Sequence, residues 1–226
     1  LGGVQGAIGW WMVSSGVVQG EGVTSVASYR LATHLGLAFV ILGVLAWLAL
    51  LLGRSEAALL QSRRAREGRL VRLSTGLLHF AFLQILLGAL VAGLDAGRGY
   101  TDWPLMGGHW LPPAMTELTP IWRNLFENDG TVQFLHRIAA YGLAVFGALV
   151  WWRGRFSAFA ATRSAYHAMG AVLAGQVALG IVTLMNGAPV ALGIAHQATA
   201  VLLWVLILRA RFLSLYPQGT SIGRTA

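Results

Sequence analysis

Three histidines, His34, His136 and His196, stand near the same end of three apolar stretches, each two stretches after the last. An imidazole inside a membrane is costly unless it has a partner, so three at one depth point to a shared role. Neutral imidazole is a good axial ligand and helix pairs can clamp a macrocycle, so the chemistry these residues suit is the holding of haem iron. Cysteine is absent, which removes disulfides, thiolate-held iron–sulfur clusters, CxxCH haem attachment and a thiol nucleophile. Any metal or haem must rely on histidine, methionine or oxygen. The simpler role for a membrane histidine is a hydrogen-bonded packing residue, and the other three fit that role better. His79 lies near the opposite end of its stretch, His109 in a long loop, and His167 just after Arg163.

The elements that must position these residues are membrane helices. The chain has 226 residues, 56% hydrophobic and 11% charged, where a soluble domain carries roughly a quarter charged residues. About twenty apolar residues cross a bilayer as a helix, and six windows qualify, at roughly 1–18, 31–52, 75–94, 132–152, 165–184 and 190–208. The first is short, and the chain opens at Leu1 inside apolar sequence with no basic segment ahead of it. That is not a signal peptide; it reads as a sequence whose beginning is missing. The expected fold class is all-α, a polytopic membrane protein with six transmembrane helices.

The net charge of +8 comes from arginine alone, since no lysine is present. These arginines flank apolar runs rather than forming a stripe, so they read as topology determinants, with the lipid bilayer and not nucleic acid as partner. Arg54, Arg63, Arg64, Arg66, Arg69 and Arg72 follow the second window; Arg153, Arg155 and Arg163 follow the fourth; Arg209, Arg211 and Arg224 follow the last. The opposite loops hold Glu21, Asp95, Asp102, Glu117, Glu127 and Asp129. The positive-inside rule places the arginine loops and the C-terminus in the cytoplasm or its equivalent, and the three histidines in the outer part of the membrane. The outer loop 95–131 is long, and its Tyr100, Trp103, Trp110, Trp122 and Phe126 favour a folded cap at the interface.

The windows also repeat in pairs. Gln5 with Gly9, Gln84 with Gly88 and Gln176 with Gly180 share the spacing Gln-x-x-x-Gly, and each partner window then brings a histidine. Residues four apart share one helical face, where glycine permits close approach and an amide can bond across helices. The Gln/Gly positions read as packing. Two such hairpins make a four-helix bundle in which His136 and His196 form a bis-histidine pair, leaving His34 without a counterpart.

Several local motifs then carry a family resemblance. They are Gly9-Trp10-Trp11-Met12-Val13-x-Ser15-Gly16, Tyr29-Arg30-Leu31-Ala32-Thr33-His34-Leu35, Gly93-Leu94-Asp95-Ala96-Gly97 and Asp102-Trp103-Pro104-Leu105-Met106-Gly107-Gly108. Asn124-Leu125-Phe126-Glu127-Asn128, Val132-Gln133-Phe134-x-His136-Arg137 and His196-Gln197-Ala198 complete the set. From Leu1 to about Arg211 the chain resembles the heme A synthase family of the proteobacterial and mitochondrial type. The resemblance implies eight transmembrane helices in two similar four-helix bundles, of which this chain matches the last six. It divides the chain into 1–72, the remainder of an N-terminal substrate bundle with its cytoplasmic linker; 73–211, a C-terminal bundle with the outer loop; and a cytoplasmic tail, 212–226.

The resemblance further implies haem b held by His136 and His196, and heme O as substrate on the side of His34, so all three would be axial ligands of haem iron. A second histidine and a glutamate tied to activity belong to the helices without a counterpart, which leaves the catalytic residue unassigned. The implied reaction oxidises the C8 methyl of heme O to a formyl group, giving heme A for cytochrome oxidase. Two successive hydroxylations would give a gem-diol that loses water, chemistry that iron and an electron donor must supply. Implied partners are that donor and heme O synthase or cytochrome oxidase assembly factors, with a homo-oligomer left open. The implied location is the bacterial inner membrane, ahead of the mitochondrial one. Arg30 and Arg137 stand beside ligand histidines, where they can pair with propionates or merely snorkel. A di-haem b electron-transfer protein shares the bis-histidine bundle and is separated only by the loop motifs. A transporter would need Gly/Pro-interrupted helices and central charges that the windows lack.

Overall fold

The computed structural model describes residues 1–18, 22–23 and 26–219. Glu21 and Arg224, part of the charge pattern, lie outside the described residues, as does the tail from 220 onward. Among the described residues the fold is helical, apart from one antiparallel pair of two-residue strands, β1 (Val17–Val18) and β2 (Gly22–Val23). The helices are α1 (Gly2–Val13), α2 (Ser28–Leu52), α3 (Glu56–Arg63), α4 (Gly68–Gly93), α5 (Asn124–Glu127), α6 (Asp129–Gly154), α7 (Ala160–Met185) and α8 (Val190–Leu215).

Five of these, α2, α4, α6, α7 and α8, are long and apolar enough to cross a membrane. A helix of 26 residues is about 39 Å long at ~1.5 Å per residue, more than the hydrocarbon core needs. Only 17–22% of each most apolar window is buried within the protein. Leu45, Val145, Val190 and Ile194 are more than half exposed, an outward apolar surface that lipid covers. The expected sixth span corresponds to α1, which has 12 residues and does not reach spanning length; Val17 and Val18 leave it for the strand pair. The helices outrun the apolar windows at their ends, because backbone hydrogen bonding continues where side chains turn polar. Thus α8 continues to Leu215, into what the sequence assigns to the tail.

Between α2 and α4 the arginine-rich connection forms α3. Ser55 caps it, its side chain accepting from the Ala58 amide at 3.3 Å, with Glu56 in the first turn and Arg63 in the last, the charge order the helix dipole favours. At the start of α6, the Asn128 side chain accepts from the Thr131 amide at 2.9 Å.

The chain divides into two compact units, which cut the long helices partway along their length. One comprises residues 1–41, 82–141 and 179–196. Its interior includes Ala32, Ala89, Leu90 and Val132, with Leu35, Leu87, Val91 and Leu94 against them. Within it α2 and α4 approach closely: a Cβ at Gly93 would lie 2.8 Å from the Ser28 Cα. The other comprises 42–81, 142–178 and 197–226. There Glu67 accepts from the Ser157 hydroxyl at 2.6 Å and the Ala158 amide at 3.1 Å, while its own amide donates to the Ser214 carbonyl. Tyr166, fully buried, bonds Ser214 through its hydroxyl at 2.9 Å. Arg211 donates to Thr75 and lies over the Trp47 ring.

Candidate functional site

All three singled-out histidines belong to the first compact unit, and each is only partly buried. Each meets an earlier helix (α1, α4 or α7) at a glycine. A Cβ built on Gly9 of α1 would lie 2.9 Å from Cε1 of His34; on Gly88 of α4, 3.1 Å from Cε1 of His136; on Gly180 of α7, 2.9 Å from Cε1 of His196. In every case Nδ1 is the next nearest atom and Nε2 the third. The three rings therefore present the same edge to the same kind of backbone surface. Any side chain larger than hydrogen at those glycines would push the ring away.

The rings of His34 and His136 also meet a glutamine amide. Gln84 Nε2 donates to the His136 backbone carbonyl at 3.1 Å and lies 3.0 Å from Nδ1 and 3.3 Å from Nε2. Gln5 Nε2 repeats this at His34, 3.2 Å from the carbonyl and 3.3 Å from both ring nitrogens. No cluster of three or more His, Asp or Glu side chains fit for a metal ion exists among the described residues. The three imidazoles thus do not form a single chelate. A haem asks for only one or two.

The other histidines are spent elsewhere. His79 donates from Nδ1 to the Thr75 carbonyl at 2.8 Å, and His167 accepts from Trp151 Nε1 at 3.2 Å. His109 forms a backbone bridge with Met106.

Arg137, 7% exposed, is turned to the loop. Its Nη1 donates to the carbonyls of Asp102 and Leu105, both at 2.9 Å, and its Nη2 to that of Tyr100 at 2.8 Å. Gln133 shares the Tyr100 carbonyl at 3.0 Å. Within the same loop the Asp102 carboxylate accepts from the amides of Gly107 and Gly108, each at 2.9 Å. Both glycines have positive φ, 60° and 78°, a backbone that side chains resist. The amides of Gly108 and Gly107 hold the Asp102 carboxyl below the usual carboxylate range. Asn124 and Asn128 fasten the rest of the loop, bonding Leu118, Ile121 and Ala114. The sequence assigns none of Gln133, Asp102, Asn124 or Asn128 such a role: they stand in motifs, and Asp102 also among the acids of the outer loops. Arg30 donates to the Trp11 carbonyl at 2.7 Å and lies over the Trp11 ring at 4.7 Å. A cavity of about 440 Å³ lies among Ser15, residues 26–29, Gly93, Leu94 and Glu127 and includes none of the three histidines.

Long apolar helices that seat imidazoles on glycine, beneath a loop braced by a buried arginine, define a helical membrane protein with ligand-type side chains inside its helical layer. The chain belongs to the cytochrome oxidase assembly protein family, whose model matches residues 1–208. It is 67% identical over 222 residues to a protein of Ruegeria sp. strain TM1040 named heme A synthase, covering 98% of this chain and 58% of that protein. Proteins of the same name from Roseobacter denitrificans and Paracoccus denitrificans are 63% and 59% identical over 225 residues, which is all of this chain and 59% and 58% of theirs. The chain therefore spans about 58% of the length of these curated relatives.

Proposed function

We propose that this chain is part of a heme A synthase, the enzyme that oxidises the C8 methyl of heme O to a formyl group. In this reading His136 and His196, on α6 and α8, would hold the iron of a haem b within the bundle of α4, α6, α7 and α8. His34, on α2, serves the substrate haem together with a ligand from outside this chain. The reading rests above all on the matched seating of the imidazoles: each has Cε1 against a glycine of an earlier helix, α1, α4 or α7. Neutral imidazoles in apolar surroundings suit haem iron better than a hard cation. The backbone cradles that a Cβ would fill keep each ring in place. When bound, haem iron with an electron donor supplies the oxidising chemistry.

The protein's own residues bind, orient and shield. Arg137 spends three of its five N–H donors on the loop, and its Nε has no partner among the described residues. Two donors thus remain for a carboxylate such as a propionate. Arg30 likewise has an Nε with no partner among the described residues and takes the corresponding part beside His34. The inner bacterial membrane, with the arginine-rich loops and C-terminus cytoplasmic, is the location this reading assigns.

Histidine-to-alanine changes at 136 and 196 should each abolish the haem b absorbance of the purified protein, and the same change at 34 should leave it largely intact. Equal loss in all three overturns the division into two haem sites. Supplying heme O to a full-length form should yield a formyl haem. Retained haem without product would favour the electron-transfer alternative.

A further inference from the structure

A ligand imidazole must be aimed as well as present, and the glutamines next to His34 and His136 bear on aim. Gln84 Nε2 is nearly equidistant from both ring nitrogens of His136, at 3.0 and 3.3 Å. In the ring plane, such a position would overlap a ring carbon. The amide nitrogen therefore lies off the plane, over the ring face, where an N–H meets the π system. Its strong hydrogen bond goes instead to the His136 carbonyl at 3.1 Å, whose second lone pair can accept beside the helical bond. The in-plane lone-pair directions of the ring are thus left to other partners. Gly88 closes the Cε1 edge, since even a Cβ there would come within 3.1 Å. With the amide over one face and backbone at one edge, rotation about the bond joining ring to chain is confined.

We propose that Gln84 and Gly88 are positioning residues that set the ring plane of His136, and that Gln5 and Gly9 do the same for His34. This rests on the reading of both imidazoles as haem ligands. The device repeats at His34 with amide distances of 3.3 Å to both nitrogens and 3.2 Å to the carbonyl, and with Gly9 at 2.9 Å. Packing alone would not require an amide; a methionine or leucine fills such a gap as well. What the amide adds is a donor tied to the histidine's own backbone, so ring and backbone are held as one unit before the cofactor arrives. That is the preorganisation a ligand site needs.

The ferric low-spin EPR signal of a bis-imidazole haem depends on how the two ligand planes are oriented, whereas a purely structural residue leaves it in place. Gln84→Met keeps length and bulk but removes the donor. It should retain haem and shift the largest g value of the haem b signal. Gly88→Ala leaves the amide and presses on Cε1 only, so it reads ring orientation independently if the methionine variant fails to accumulate; it too should shift the signal. An unchanged g value in either variant that binds haem overturns the proposal. A His136→Ala protein that keeps its haem signal would instead remove the ligand reading itself.

Discussion

Arg137 carries five N–H donors, and three of them end on carbonyls of one short stretch of loop. Hydrogen bonds from a charged group contribute about 1.5–3 kcal/mol each when buried. Part of that is recovered when carbonyls near an interface rehydrate, so Arg137→Met should loosen the loop by about 2–4 kcal/mol. Hydrogen exchange across residues 100–109 should accelerate accordingly, while α6 stays protected. Haem retention in the same variant tests the second proposed role of Arg137, as a propionate partner, and unchanged retention would leave it with the loop alone. Asp102 adds a pH dependence of defined sign. Its folded pKa is depressed by the Gly108 and Gly107 amides, so its contribution is fully present above the ordinary carboxylate value, about 4. It is lost as pH falls through the lower, folded value. Exchange of the Gly107 and Gly108 amides should therefore be flat from pH 7 to about 4, once corrected for intrinsic rates, and rise only below that. Asp102→Ala should abolish the protected plateau.

Helices were the legible part of this chain, because long apolar runs leave little else possible in lipid. Their ends were less so: α4 begins at Gly68 and α6 at Asp129, each a few residues before its apolar window opens. The Gln-x-x-x-Gly spacing could be read as a face because 3.6-residue periodicity puts both residues on one side. That the glycines meet histidine edges needed the three-dimensional register of two helices, which no single helix encodes. The loop from 95 to 131 resisted reading for another reason. Its order comes from side chains bonding backbone groups many residues away, as Thr131 bonds the Met115 carbonyl at 2.7 Å, and such bonds leave no periodic trace. Helix contacts elsewhere yield a sharper test. In the second compact unit, a Cβ at Gly154 of α6 would collide with Cγ of Tyr166, whose hydroxyl is anchored on Ser214. That ring cannot yield cheaply, so Gly154→Ala should cost at least the ~1–3 kcal/mol typical of overpacking. Gly175 of α7 has nothing within 4 Å of its would-be Cβ, and Ala there should be neutral or stabilising by up to ~1 kcal/mol. Thermal unfolding in detergent should separate the two variants clearly.

Charge orients the molecule as a whole. No lysine is present, and most of the described arginines crowd one set of connections, whereas Asp95, Asp102, Glu117 and Glu127 share the loop between α4 and α6 with only Arg98 and Arg123. Arginine resists transfer across a membrane with a potential, which fixes orientation more strongly than acidic residues can. The orientation proposed on this basis has the α3 connection facing the cytoplasm and the 95–131 loop facing the other side. The absence of cysteine makes this directly testable, because any single introduced thiol is the only one present. Gln61, in α3, and Thr116, in the long loop, are both exposed, so Gln61→Cys and Thr116→Cys should fold normally. In intact cells, a membrane-impermeant maleimide should label the thiol at 116 and spare the one at 61. Permeabilisation should then expose both. The opposite order of labelling would invert the topology. It would also place the histidine ends of α2, α6 and α8 on the cytoplasmic side, where a propionate-binding Arg137 would face the wrong compartment for the proposed arrangement.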